Sequence, residues 1–292
     1  MKLVKRLGIA CLIFGGVIAL AWVIIAALNT TESNYVQGDG SFEEGANPQA
    51  EGEYKPKSFK LGEHAKYNVT IGGGLPAGII TFDVVKKFDY EGQECWHFKL
   101  HSKDSIGLLY CNVDSYTAVN MEHAVFYKSD QKDRSAKKTY EVTFDAKTLK
   151  SKYVKNGEFR YAIDIMPNTF CPLSVFYKMR EVPLKIGSSM NIAVSDGKRC
   201  KNGLMKVLRE ERITIGDKSY DTVLVEPDIK DLRGVFSKNP NSKIEVWLSK
   251  DERRIPIRLI VHIGVLGLKL TADLETYEVN EKTIEEGKTQ SN

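Results

Sequence analysis

Four cysteines and two histidines are the residues whose types and spacing first suggest chemistry. Cys95, His97 and His101 sit at even separations, so all three project from one face if the stretch is extended. Cys111 would lie opposite Cys95 if a hairpin turned near Lys103. Thiolate and imidazole together would suit zinc or copper. The plainer expectation is a cross-strand disulfide beside two solvated histidines, because Lys99 shares their face and Trp96, Phe98 and Leu100 already supply an apolar face opposite. Four exported cysteines allow three connectivities, of which Cys95 with Cys111 and Cys171 with Cys200 is the expected one. No CxxC pair is present for thioredoxin-like exchange, and no cofactor is expected.

Nucleophilic and phosphate chemistry finds no support in the sequence. There is no GxSxG elbow, Gly187-Ser188-Ser189 precedes a strand, and Gly72-Gly73-Gly74 lacks the lysine and helix of a phosphate loop. Asp251, Glu252, Arg253 and Arg254 read as a solvated hairpin corner. The chain is therefore expected to bind and not to catalyse. Its candidate ligand-lining residues are apolar: Phe82, Trp96, Phe98, Phe144, Tyr161, Phe176, Val246, Trp247 and Leu259, which would enclose a lipid or another apolar molecule. Trp247 stands apart among them, on the opposite face of its strand from Val246 and Leu248. The alternative is a tethered scaffold that meets another envelope protein or a glycan through Tyr90, Tyr110, Tyr116 and Tyr127.

The elements that would position these residues are strands. From Phe59 onward apolar residues recur with period two, as in Tyr67, Val69 and Ile71, or Ile80, Phe82 and Val84, or Ile244, Val246 and Leu248. Glycine-rich and acidic turns separate the runs. One segment breaks the pattern, Asn168 to Val182, where Pro172 suits a first helical turn and Leu173, Phe176 and Tyr177 follow at helical spacing. Ten to twelve short strands, one helix and no βαβ alternation predict an antiparallel curved sheet or barrel-like domain, with a sandwich as the other solution. Gly78, Gly264 and Gly267 fit tight bends within strands.

This domain, residues 59–279, follows a different kind of sequence. Leu7 to Leu28 is 22 residues without a charge. As a helix it reaches roughly 33 Å, enough for a hydrocarbon core of about 30 Å. Lys2, Lys5 and Arg6 in the short basic start, 1–6, orient it with the N-terminus in the cytoplasm, and no further Lys or Arg occurs until Lys55. An inner-membrane signal anchor with a periplasmic C-terminal domain is expected. Cleavage near Ala19-Leu20-Ala21 would make it a signal peptide instead, and Gly8-Ile9-Ala10-Cys11 has too few apolar residues before it for a lipoprotein site. Residues 29–58 are acidic and poor in aliphatics, the composition of a tether, and 280–292 form a polar tail. With a net charge of only +4 spread over alternating signs, a nucleic-acid partner is excluded.

Several short motifs together resemble one family. They are Phe59-Lys60-Leu61-Gly62-Glu63 with Tyr67, Ala77-Gly78, the run Leu173-Ser174-Val175-Phe176-Tyr177 to Arg180 with Pro183-Leu184 and Gly187, and Val246-Trp247-Leu248-Ser249-Lys250-Asp251 with Pro256. The resemblance is to bacterial exported proteins known as domain of unknown function 3108, over about Phe59 to Val279. It implies an envelope protein of antiparallel β architecture with no assigned chemistry.

Overall fold

A computed structural model describes residues 57–133, 136–227, 243–263 and 268–280. The expected anchor at 7–28, nearly all of the tether and the tail beyond 280 lie outside them. Among the described residues no helix is long and apolar enough to cross a membrane.

Among the described residues the domain is one antiparallel sheet of fourteen strands, more than the ten to twelve expected, with one helix. Its first half comprises β1 (Glu63–Ile71), β2 (Leu75–Tyr90), β3 (Gln93–Asp104), β4 (Tyr110–Ala118), β5 (Ala124–Asp133), β6 (Ala136–Asp145), β7 (Lys150–Lys155) and β8 (Glu158–Asp164). After helix α1 (Pro172–Glu181) come β9 (Ser189–Ser195), β10 (Cys200–Ile215), β11 (Lys218–Pro227), β12 (Lys243–Ser249), β13 (Pro256–Ile263) and β14 (Leu268–Val279). Every strand pairs with its sequence neighbour, and β1 also pairs with β14, so the order runs from β8 through β1 and β14 to β9. The sheet stays open. Its edges, β8 and β9, are consecutive in sequence, and the one long connection between them carries α1.

That connection fills the inside of the curl. Cys171 caps α1: its Sγ accepts from the Ser174 N–H at 3.4 Å while the Ser174 hydroxyl accepts from the Cys171 N–H at 2.9 Å. Pro172 occupies the first turn, where its missing N–H costs nothing. At the other end the Arg254 guanidinium donates to the carbonyls of Arg180, at 2.8 Å, and Val182, in place of a glycine cap. Just before the helix, Phe170 exchanges backbone hydrogen bonds with Ala193 and Ser195 of β9, and Thr169 accepts from Ala124 at the head of β5. Edge β9 is thereby tied across the interior to the far half of the sheet.

The β9–β10 turn completes the closure. Gly197, at φ +82°, rests on Val142 of β6 and Tyr153 of β7, and an added Cβ would stand 2.6 Å from Val142 Cγ2. Both the left-handed backbone and the contact require glycine. Gly197→Ala should cost about 2–3 kcal/mol from backbone strain and overpacking, read as a lower urea midpoint with unchanged slope.

The convex face carries a charged row. Successive register partners Asp83, Lys99, Asp114, Lys128 and Glu141 alternate in sign across β2 to β6, and His64 of β1 is in register with Asp83. His64 contacts Asp83 at 2.6 Å, Lys99 contacts Asp114 at 3.6 Å, and Lys128 contacts Glu141 at 3.0 Å. Such a row is incompatible with contact to lipid tails on the outer wall.

Candidate functional site: the concave face

The strand alternation places Phe82, Trp96, Phe98, Phe144, Val246 and Leu259 on the concave side, all buried in one core with Phe176 of the helix. Phe176 stacks on Phe82 with centroids 4.5 Å apart, and Tyr177 stacks on Phe98 at 3.9 Å. Phe59 meets Trp96, Phe98 and Tyr177 edge to face. Helix α1 therefore occupies the place an apolar ligand would take. Two expected lining residues lie apart from this packed wall, one at the rim of the concave face and one on the other face. Tyr161 lies on edge strand β8, 39 % exposed, with its ring on Tyr153. Trp247 is buried on the convex side, in register with Leu224 and Arg258, and its indole N–H donates to Glu211 Oε2 at 3.2 Å.

Toward β4–β7 the concave wall becomes polar. Ser115, Thr117, Ser129, Gln131 and Ser151 are all buried there. The Gln131 amide donates to Ser129 at 2.8 Å, and Ser115 and the Cys171 thiol share a contact of 3.0 Å. The hydroxyls of Tyr153, Tyr177 and Ser151 are buried without a partner among the described residues. Each such group costs about 1–3 kcal/mol relative to a paired one.

Asp196 belongs to this wall. Burial pushes its carboxyl up to about 6, against the backbone N–H groups of Lys198 and Arg199, which it accepts at 2.8 and 2.9 Å, and their positive charges. The folded protein thus binds this proton more tightly than the unfolded chain. Its contribution to stability is greatest below about pH 4 and falls as the pH rises toward 6. Asp196→Asn keeps an acceptor for both N–H groups and removes the ionisation, so it should raise stability at pH 7 by about 2–3 kcal/mol. Denaturation of both proteins between pH 4 and 7 checks this: the difference should shrink toward pH 4, and a constant difference would refute it.

A buried ion pair fixes the helix to the sheet. Arg180 donates from both terminal nitrogens to Glu63 of β1, at 2.6 and 3.1 Å, and also to the carbonyls of Ser58 and Arg253. Tyr277 of β14 donates to the same carboxylate at 3.1 Å. Arg180 follows Phe176 by four residues in α1, so it shares the inward face. That spacing was the available signal for it.

The thiol expectations need correction. Cys95 pairs in register with Ala118, and Cys111 with Ser102, so the two lie seven rungs apart and face opposite sides of the sheet. The thiols of Cys171 and Cys200 have separate partners as well: Ser115 and Ser174 for the first, Thr169 and the Met166 N–H for the second. All four are free. Burial pushes Cys95 and Cys111 up to about 12 and raises Cys171 and Cys200, so none is a ready nucleophile.

The metal expectation meets a similar obstacle. Cys95, His97 and His101 do share the convex face. His97 Nε2 lies 2.6 Å from Asp114, however, and His101 Nδ1 lies 2.5 Å from Asn112. Among the described residues no three metal-ligating side chains gather. What covers His97 instead is an outer aromatic cluster of Phe88, Tyr90, Tyr116 and Phe126, with neighbouring centroids 4.9–5.7 Å apart. Of the four tyrosines expected on the exposed face, Tyr90 and Tyr116 join this cluster, while Tyr127 is buried on the concave side.

Comparison with known proteins assigns the family. No curated protein matches the chain. Among solved structures, a β-barrel-like protein of domain of unknown function DUF1849 from Brucella abortus is 10% identical, covers 76% of this chain and 98% of its own, and has a TM-score of 0.47. A protein from Bacteroides fragilis described as exported, with a YmcC-like fold, is 8% identical over 75% and 96%, at 0.33. One from Parabacteroides distasonis described as a lipoprotein is 10% identical over 76% and 97%, at 0.34. Sequence gives the firmer assignment: the model of the family described as protein of unknown function (DUF3108) matches residues 66–274, almost the whole sheet from β1 to β14, and the chain belongs to that family.

Proposed function

We propose that the protein is a non-enzymatic binding protein of the bacterial envelope, tethered at the inner membrane by residues 7–28, that takes an apolar or amphiphilic lipid onto the concave face of its sheet. The observation that carries the reading is the lining itself. An aromatic wall packs against the ten-residue helix α1, and beside it stand tyrosine and serine hydroxyls that have no partner among the described residues. A lipid would lay its chains where Phe176 and Tyr177 now stack and offer oxygens to Tyr153, Tyr177 and Ser151. Helix α1 must move to admit it. The long uncharged run at Leu7 to Leu28 and its basic flank support the location.

A photoreactive fatty acid added to the full chain in its native membrane tests this. Mapped adducts are expected on peptides holding Phe82, Phe98 or Phe176. Adducts confined to residues 7–28 would refute the concave site. A scaffold role has one observation in its favour, the outer cluster of Phe88, Tyr90, Tyr116 and Phe126, and would leave the concave peptides unlabelled.

A further inference from the structure

We infer that the end of the sheet formed by the β1–β2 and β3–β4 tips is a docking surface for an anionic lipid bilayer. In an up-and-down sheet, alternate hairpin tips share an end. The Ser105 N–H donates to the Ala77 carbonyl at 3.1 Å, which sets the two tips side by side. They expose Leu75, Ile106 and Leu108 at 58, 55 and 45%. Hairpin tips ordinarily carry Gly, Asn, Asp or Ser, and three branched aliphatics held in water at neighbouring tips need a reason.

Their exposure is built into the loop. Asp104 accepts the Leu109 N–H on its carboxylate at 3.0 Å, its own N–H donates to the Leu109 carbonyl at 3.2 Å, and the Gly107 N–H donates to the Asp104 carbonyl at 3.3 Å. Leu109 is thereby drawn inside, and Ile106 and Leu108 are held outward.

The charge around them is positive. Lys103, Tyr110, Lys132 and Lys137 are successive register partners on β3 to β6, one row in from the tips. Lys269 lies beside the β1–β2 tip, where its carbonyl accepts from the Gly72 N–H at 3.1 Å. Asp104, the carboxylate within these two tips, is turned inward and buried. Aliphatic points fringed by lysine and tyrosine fit the boundary between acyl chains and anionic headgroups. Aliphatic side chains protruding from two adjacent tips, with lysines behind them, suit a bilayer better than a folded partner.

The inference is independent of the ligand reading and is tested separately. The full chain is placed in neutral phosphatidylcholine nanodiscs, which occupy residues 7–28, and mixed with sucrose-loaded vesicles of phosphatidylcholine alone or with phosphatidylglycerol. Wild type should sediment with the anionic vesicles, and binding should weaken with salt. Leu75→Glu/Ile106→Glu/Leu108→Glu should lower this partition about tenfold or more, with unchanged melting because all three sites are exposed. Lys103→Glu/Lys269→Glu should lower it too, a second route should the triple variant fold poorly. Photolabelling of the concave peptides should persist in both variants. Absence of wild-type binding, equal binding to neutral vesicles, or variants that bind like wild type would each overturn the proposal.

Discussion

Arg180→Met should destabilise the folded domain by about 3–5 kcal/mol, because it leaves the Glu63 carboxylate buried with its countercharge gone. Both side chains of the pair are almost wholly out of water. Burial alone would lower the Arg180 pKa, but the Glu63 carboxylate more than offsets this and holds it above its ordinary value. Arginine is therefore charged at any working pH. Its loss strands a carboxylate that only Tyr277 would still contact, and removes the donor from the carbonyls of Ser58 and Arg253. Glu63→Gln/Arg180→Met should recover most of the stability, since a neutral amide still accepts from Tyr277 and no charge stays buried. Urea unfolding of the two variants decides the matter. A single variant as stable as wild type would mean the pair is not desolvated. The same pair joins α1 to β1, so Arg180→Met should also increase photolabelling at Phe82 if the helix must move to admit lipid.

The faces of the strands were legible because alternation is local. Tyr67, Val69 and Ile71 point inward in β1 as their spacing requires, and Pro172 begins the helix. Register was not legible, because it depends on where each turn is centred. An error of one residue in the centre moves every cross-strand partner by two. Placing the β3–β4 turn near Lys103 set Cys111 opposite Cys95. The loop is held between Asp104 and Leu109, the centre shifts by about three and a half residues, and the partner becomes Ala118. An odd shift also reverses the face, which separates the two thiols completely. The contact of Gly197 with Val142 and Tyr153 depends on the curvature of the whole sheet, and no spacing in the sequence encodes it. Partner choice for Arg180 was hidden for the same reason, since Glu63 lies 117 residues away.

Trp247→Ala should cost about 3–5 kcal/mol, which for a domain of this size is a fall in melting temperature on the order of 10 °C. The residue sits on the convex side of β12 in register with Leu224, which is fully buried, and Arg258, whose guanidinium is paired with Asp273 at 2.8 Å. Its ring covers a patch that water would otherwise reach. The hydrogen bond to Glu211 contributes less, because that carboxylate is partly solvated and already paired with Arg209 at 2.8 Å. Trp247→Phe should therefore lose about 1 kcal/mol. Trp96 is the other tryptophan of the sheet, on the concave face, with its N–H donated to the Val119 carbonyl at 3.0 Å. The two rings report on opposite sides. A lipid-induced blue shift that persists in Trp247→Phe and disappears in Trp96→Phe would place the ligand against α1, whereas the reverse would move the groove to the convex face and overturn the proposed site.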